Sequence, residues 1–382
     1  MKHILYLPSW FPSRRDPYPG DFIKRHAEAA SLYNRIIIFY TTIDETIEEP
    51  ELVEEKINEN LFVYIYYYPS VKNILSPVIN GIKRFSALRK IYNKVFTDSS
   101  PALVHVHVAY PAGLFALYLK KRKGLEYIIS EHDGIYMPDY DNHHIPGNFE
   151  KKMVPVIYKN AKKIHAVSKS LSKALIDLKL AITNPIIIPN VVNGKIFKYR
   201  EKKKRGTFIY IHISSMTNQK NPEGMLEAIS LVKKKRNDFI LKIVGPVKEK
   251  FKKMAKDLLL DEQVIFMGEI PYSEVAKEIT NSDAMVHFTR YETFGCVIAE
   301  SLCCGVPVIA SELDVTKELI TDGVNGLLVA ENNINDLADK ILYFMESGFQ
   351  INSKQIAEEN QQKFNYGVVG KMFDDLYGSV TG

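Results

Sequence analysis

Arg290-Tyr291-Glu292-Thr293-Phe294-Gly295-Cys296-Val297-Ile298-Ala299-Glu300-Ser301-Leu302-Cys303-Cys304-Gly305-Val306-Pro307-Val308-Ile309-Ala310 follows a β-branched run at Ala284 to Phe288 and reads as turn, helix and strand. Gly295 is expected to open a helix that Gly305 closes. A helix that starts on a glycine turn offers unpaired backbone N–H groups and the positive end of its dipole, which suits a phosphate group. Glu292 stands in the turn before that helix, and Glu300 lies about two turns further on, on nearly the same face. Glu300 falls inside an otherwise apolar helix, so a purely solvated role fits it poorly. Two carboxylates bracketing a phosphate site suit a ligand with a sugar at each end.

The same alternation of short strands and helix-length segments extends in both directions. Upstream, β-branched or aromatic runs recur at His3 to Leu7, Arg35 to Tyr40, Leu61 to Tyr68, Leu103 to Val108, Glu126 to Ser130, Lys163 to Val167 and Ile186 to Ile188. Asp21 to Tyr33, Ala112 to Lys123 and Ser168 to Lys179 carry apolar residues at three- and four-residue spacing and read as helices. In the second half, strands are predicted at Phe208 to Ile213, Phe239 to Val244, Val264 to Met267, Ala284 to Phe288 and Val306 to Ile309. This is the pattern of parallel sheets covered by helices. The chain has 382 residues, beyond the roughly 250 to 300 at which a single core stops growing. Two doubly wound, Rossmann-like α/β domains are therefore expected, at 1–193 and 207–362, joined by a linker at 194–206. Strand ends facing a shared cleft would place a reaction between them. The linker includes Lys202-Lys203-Lys204-Arg205, which reads as a solvated hinge because no aromatic residues are interleaved for nucleic-acid stacking.

Composition narrows the class further. With 46% hydrophobic and 25% charged residues, the chain has material for packed cores and too little bias for disorder. Its three cysteines, Cys296, Cys303 and Cys304, form neither a disulfide framework nor a zinc spacing, and a reducing compartment is the natural expectation. Met1 to Pro8 is too short for a signal peptide and reads as a first strand. No run approaches the roughly 18 apolar residues needed to cross a bilayer, so a cytoplasmic location is favoured. Residues 1–198 carry 27 basic and 19 acidic side chains against 23 and 26 in the remainder. The halves thus differ, +8 against −3, which points to an anionic partner for the first. Val71 to Phe96 contains Lys72, Lys83, Arg84, Arg89, Lys90 and Lys94 with Ile82, Phe85, Leu88, Ile91 and Tyr92. That composition fits either a basic amphipathic helix on the inner membrane face or a core-facing helix.

The Glu292 to Pro307 stretch, with its two glutamates and Gly-x-Pro-Val, resembles the donor-site signature of the family 4 retaining glycosyltransferases of the GT-B fold. Ser214 to Pro222 is similar to the family's strand-to-helix loop with a phosphate-binding lysine, and Ile243-Val244-Gly245 to its next strand end. Val264 to Gly268 and Asp322 to Val329 continue the likeness. In the first half, Pro8-Ser9-Trp10-Phe11-Pro12 through Pro19-Gly20-Asp21-Phe22, His105-Val106-His107, Ser130-Glu131-His132, Val167-Ser168 and Ile188-Pro189-Asn190 stand in the family's order.

The resemblance implies that Glu292, His132 and Lys220 are catalytic: Glu292 on hydroxyls of a nucleotide-sugar donor, Lys220 on its diphosphate, His132 near the reaction centre. It implies donor contacts from Phe294, Gly295 and Cys296 to the diphosphate, from Glu300 to the ribose, and from Gly20, Ser215, Gly245 and Ile270. His107 is placed on the acceptor side. A fixed cation and a helix dipole can stabilise the leaving diphosphate, so neither metal nor cofactor is expected. Ser215 and a lone Gly20 depart from the family, which often has an arginine and paired glycines there, and Arg290 is the residue that could compensate. The expected reaction is retaining transfer from a UDP- or GDP-sugar to a glycan or lipid-linked acceptor in bacterial surface polysaccharide synthesis. Segment 363–382, from Phe364 to Tyr377, is expected to cross back to the first domain, as in relatives. Two other readings are a nucleotide-sugar 2-epimerase of the same fold and a non-catalytic sugar-nucleotide-binding partner subunit.

Overall fold

The computed structural model describes residues 1–70, 76–138, 140, 147–201, 206–346 and 351–382. Lys202 to Arg205 of the linker, Lys72 of the basic segment and most of the loop at 139–148 lie outside the described residues. The chain forms two α/β units. One comprises Met1–Asp133, His144–Val191 and Tyr366–Gly382, the other Gly134–His143 and Val192–Asn365.

The first unit is built on strands β1 (His3–Pro8), β2 (Arg35–Ile43), β3 (Glu51–Asn58), β4 (Leu61–Tyr68), β5 (Leu103–His107), β6 (Tyr127–Glu131), β7 (Lys163–Ala166) and β8 (Ile186–Ile187). They form one sheet in the order β3-β4-β2-β1-β5-β6-β7-β8, parallel except for the β3–β4 pair. β3 has no counterpart in the hydrophobic pattern. Its Glu54, Glu55 and Lys56 are exposed, and an edge strand needs only one neighbour and benefits from charges that block further pairing. The helix Asp21–Ala30 and the final helix Tyr366–Thr381 share one core with β1 and β2, where Ile23, Ala27, Phe373 and Tyr377 meet Ile4, Tyr6 and Ile36. At Gly370 a β-carbon would stand 2.2 Å from the Ala29 carbonyl oxygen, so only glycine lets the two helices come this close. The basic segment at 71–96 forms a helix over Ser76–Val95 that buries Ala87, Leu88, Ile91 and Tyr92. Its first turns leave Val78 62% and Ile82 65% exposed.

The second unit carries β9 (Phe208–Ile213), β10 (Phe239–Val244), β11 (Val264–Gly268), β12 (Ala284–His287), β13 (Val308–Ser311) and β14 (Gly326–Val329). All pairs are parallel and the order is β11-β10-β9-β12-β13-β14. Numbered within the unit this is 3-2-1-4-5-6, with the reversal of strand order between β9 and β12. In open sheets of this kind ligands sit outside the carboxyl ends of the strands at that reversal, because adjacent loops diverge there and leave a crevice. The loops leaving β9 and β12 are the ones that hold Lys220 and Glu292. β14 is short and lies outside the strands that the hydrophobic pattern predicts, since its Gly326-Leu327-Leu328-Val329 run follows a turn-rich stretch.

Candidate functional site

The helix predicted between the glycines spans Cys296–Cys303. Gly295 precedes it at φ 87° and Gly305 follows at φ 73°, both in the left-handed region that glycine adopts without strain. Cys303 and Cys304 are buried and pack in the core. The helix starts beyond the carboxyl end of β12, four residues after Glu292, and the positive end of its dipole lies there.

The loop after β9 is stitched to the loop after β12. Thr289 Oγ1 donates to the Gln219 carbonyl at 2.9 Å, Gln219 Nε2 donates to the Tyr291 carbonyl at 2.9 Å, and the Arg290 amide donates back to Gln219 O at 2.8 Å. The Arg290 guanidinium reaches Asn218 O at 3.1 Å and Asn221 Oδ1 at 2.8 Å. Arg290 thus clamps the lysine loop to the loop after β12. Asn221 in turn caps the Pro222–Lys233 helix by accepting from the Gly224 amide. Gly245 sits at φ 139°, and a β-carbon there would fall 1.9 Å from the Ser214 carbonyl, so glycine is required for β10 to end against this loop.

These loops bring Lys220 and Glu292 together. Lys220 Nζ pairs with Glu292 Oε1, and His287 Nε2 lies 2.9 Å from the same oxygen. Glu292 is 7% exposed. Burial by itself would raise its pKa, but the Lys220 charge and the His287 hydrogen bond outweigh that and hold the carboxyl at about 2. The group is a carboxylate throughout the physiological range and can only accept hydrogen bonds, as a contact to sugar hydroxyls requires. Glu300 is 3% exposed and accepts from Tyr272 Oη at 2.5 Å. Tyr272 opens the helix that follows Ile270, and its ring lies edge-on to Phe197 at 4.8 Å. Phe294 is buried edge-on against Phe364, Cys296 and Ile270 are half-buried, and Ser215 is exposed.

In the first unit the strand order reverses between β1 and β5. Ser9 ties the two departing loops, donating from Oγ to Val108 O at 2.8 Å and accepting from the Ala112 amide at 3.1 Å. Gly20 precedes the Asp21–Ala30 helix at φ 75°, with its α-carbon so close to Trp10 that a β-carbon would lie 2.5 Å from the Trp10 carbonyl oxygen. His132 follows β6 and His107 ends β5; Nδ1 of His107 is 3.4 Å from Nε2 of His132. Phe22 stacks obliquely on His132 at 4.7 Å. His105 and His107 lie on the same side of the sheet with ring centroids 4.1 Å apart, as their two-residue spacing requires.

Sequence reasoning missed how many buried partners these residues have. His105 bonds Tyr377 Oη at 2.9 Å and Ser130 Oγ at 2.5 Å, Ser130 bonds His165 Nδ1 at 2.5 Å, and His165 Nε2 reaches Ile188 O at 2.7 Å. Glu131 accepts from the amides of His132 and Asp133 at 2.8 and 3.0 Å and from Tyr158 Oη at 2.6 Å, which fixes the loop that carries His132. Nitrogen atoms of His26, His107 and His132 lie within 4.8 Å of one another, a grouping that could in principle hold a metal. Two ligand nitrogens on tetrahedral zinc stand about 3.3 Å apart, a separation that follows from Zn–N bonds of about 2.0 to 2.1 Å.

The second unit thus holds a buried lysine–glutamate pair ahead of a helix that starts on glycine. The profile for Glycosyl transferases group 1 matches residues 195–364 and that for Glycosyltransferase Family 4 matches residues 28–194. The chain belongs to the group 1 glycosyltransferases of the GT-B fold, and it is a glycosyltransferase. It is 28% identical over 343 residues to an uncharacterized glycosyltransferase of Methanocaldococcus jannaschii, covering 89% of this chain and 88% of that protein. It is 23% identical over 288 residues to a lipopolysaccharide 1,6-galactosyltransferase of Escherichia coli, covering 73% and 74%. The crystal structure of Anabaena HepE in complex with UDP and glucose has the same fold, with a TM-score of 0.73, 15% identity and full coverage of both chains. Among the described residues no helix is long and apolar enough to cross a membrane.

Proposed function

We propose that this glycosyltransferase moves a hexose from a UDP- or GDP-sugar to a hydroxyl of a glycan or lipid-linked acceptor in bacterial surface polysaccharide synthesis, with retention and without a metal ion. The observation that carries the reading is the buried Lys220–Glu292 pair at the reversal between β9 and β12, beside the start of the Cys296–Cys303 helix. When the donor binds, Lys220 turns to the diphosphate and Glu292 to the sugar hydroxyls. Negative charge grows on the diphosphate as the glycosidic bond breaks, and the ammonium and helix dipole stabilise it where it grows. In the same-face pathway the departing phosphate oxygen takes the proton of the acceptor hydroxyl. Glu300 and Tyr272 hold the ribose, with Phe294, Gly295, Cys296, Gly245, Ile270 and Ser215 lining the donor. His132 and His107 serve the acceptor side. HepE's complex with UDP and glucose and the lipopolysaccharide role named for the Escherichia coli relative support the choice of donor and pathway.

Thermal shift and calorimetry against UDP, GDP, ADP and their sugar conjugates, with and without chelator, test this directly. One nucleotide should stabilise the protein equally in chelator, and Lys220→Ala should weaken that diphosphate by about tenfold or more while leaving the nucleoside within about threefold. Equal weakening of nucleoside and diphosphate would remove Lys220 from the phosphate site, and dependence on a divalent ion would remove the metal-free mechanism.

The exposed Val78 and Ile82 beside the cations of the Ser76–Val95 helix support docking of its first turns on an anionic membrane, while its last turns serve the core. Replacing Lys83, Arg84, Arg89 and Lys90 with Gln should abolish sedimentation with phosphatidylglycerol vesicles at low salt. Unchanged sedimentation would assign the whole helix to the core.

A further inference from the structure

Lys220 and His287 reach the same oxygen of Glu292, but they are held very differently. Lys220 ends a four-carbon chain on a loop and its side chain is 15% exposed. His287 is the last residue of β12, its side chain is 1% exposed, and its ring lies over His212 with centroids 6.4 Å apart and planes 27° from parallel. His212 is itself pinned, bonding Val286 O at 2.9 Å through Nδ1 and Ser214 Oγ at 2.7 Å through Nε2. Ser214 then accepts from the Met216 amide at 3.1 Å in the loop that leads to Lys220. Because Glu292 is a carboxylate, the network assigns the proton of His287 to Nε2. Nδ1, buried with no partner, is then the bare lone pair.

We propose that His287 is a positioning residue for the donor sugar: it keeps the Glu292 carboxylate in one orientation when a nucleoside diphosphate draws Lys220 away. The inference rests on the reading of Glu292 as the sugar contact. A bond from a strand-anchored imidazole survives the departure of the lysine, whereas an aliphatic residue at this position would leave a buried carboxylate free to turn. The effect should therefore fall on the sugar and spare the nucleotide.

The test is calorimetry with UDP and UDP-glucose, and with GDP and GDP-mannose, on the full chain. His287→Leu should leave the affinity for the bare diphosphate within about threefold and lower the preference for the sugar conjugate by about tenfold or more, the range of one hydrogen bond to a charged group. His287→Gln, which offers an N–H donor of similar reach, should recover most of that preference and also serves if the leucine variant does not fold. Added to Glu292→Gln, His287→Leu should cost nothing further, because the residue acts through Glu292. Equal loss for diphosphate and conjugate, no recovery with glutamine, or additive loss in the double variant would overturn the proposal. If Glu292→Gln alone leaves the sugar preference intact, the failure lies with the assignment of Glu292.

Discussion

Glu292→Gln is expected to lower sugar transfer by about 10²- to 10³-fold while leaving nucleoside diphosphate binding unchanged or slightly tighter. The side chain keeps its size and one carbonyl oxygen, so packing around this buried position is preserved. What it loses is the negative charge, which now holds Lys220 and would face the sugar hydroxyls in the complex. The contact to the hydroxyls contributes to ground-state preference for the sugar conjugate, and the part of it that strengthens as the sugar acquires positive character appears as a further fall in turnover. The diphosphate, by contrast, gains: Lys220 no longer has to leave an anionic partner, and one negative charge near the phosphates is gone. Steady-state kinetics with the stabilising donor, paired with calorimetry of its nucleotide, separates the two. Turnover within about threefold of the parent would take Glu292 out of the reaction.

The second large effect concerns acid. Burial holds His26, His105, His107 and His132 well below their ordinary 6.5, and His165 at about 4, so all five are neutral in the folded first unit. On unfolding below pH 6.5 each takes up a proton that the fold excludes, so this contribution to stability is intact above about 6.5 and shrinks as pH falls. Glu131 works in the opposite sense. Burial raises it to about 7, the neighbouring Asp133 adding to the shift, so between its ordinary 4.5 and 7 the folded state binds the extra proton and gains stability on acidification. Four net protons amount to about 5 kcal/mol lost per pH unit, against a domain stability of about 5 to 15 kcal/mol. The first unit is expected to unfold near about pH 5. The chain's one tryptophan, Trp10, lies in this unit, so its fluorescence reports the event. A Trp10 signal unchanged from pH 7 to pH 4 would show that the histidines ionise inside the fold.

Much of this molecule is legible in local sequence because its parallel strands are short buried runs and its turns are marked by glycine. The segment from Glu292 to Gly305 is the plainest case, since helix, glycine ends and acidic turn are all encoded within fourteen consecutive residues. β3 escapes the same reading because an edge strand has one partner and can be charged. The Ser76–Val95 helix shows a different limit. Periodicity finds its apolar face at Leu88, Ile91 and Tyr92, but an equal period serves a core or a membrane, and only packing assigns the last turns to the core.

The buried parallel strands apart from β14, the helix boundaries at glycine, the glutamate pair and the lysine loop were determined by the sequence alone, because each depends on residues a few positions apart. The tertiary structure decided which of them meet. Parallel pairing of β9 with β12 joins segments more than seventy residues apart, and from that adjacency come the Lys220–Glu292 pair, the Arg290 clamp and the His287 bond. Contacts of that separation depend on strand order, which local periodicity does not carry.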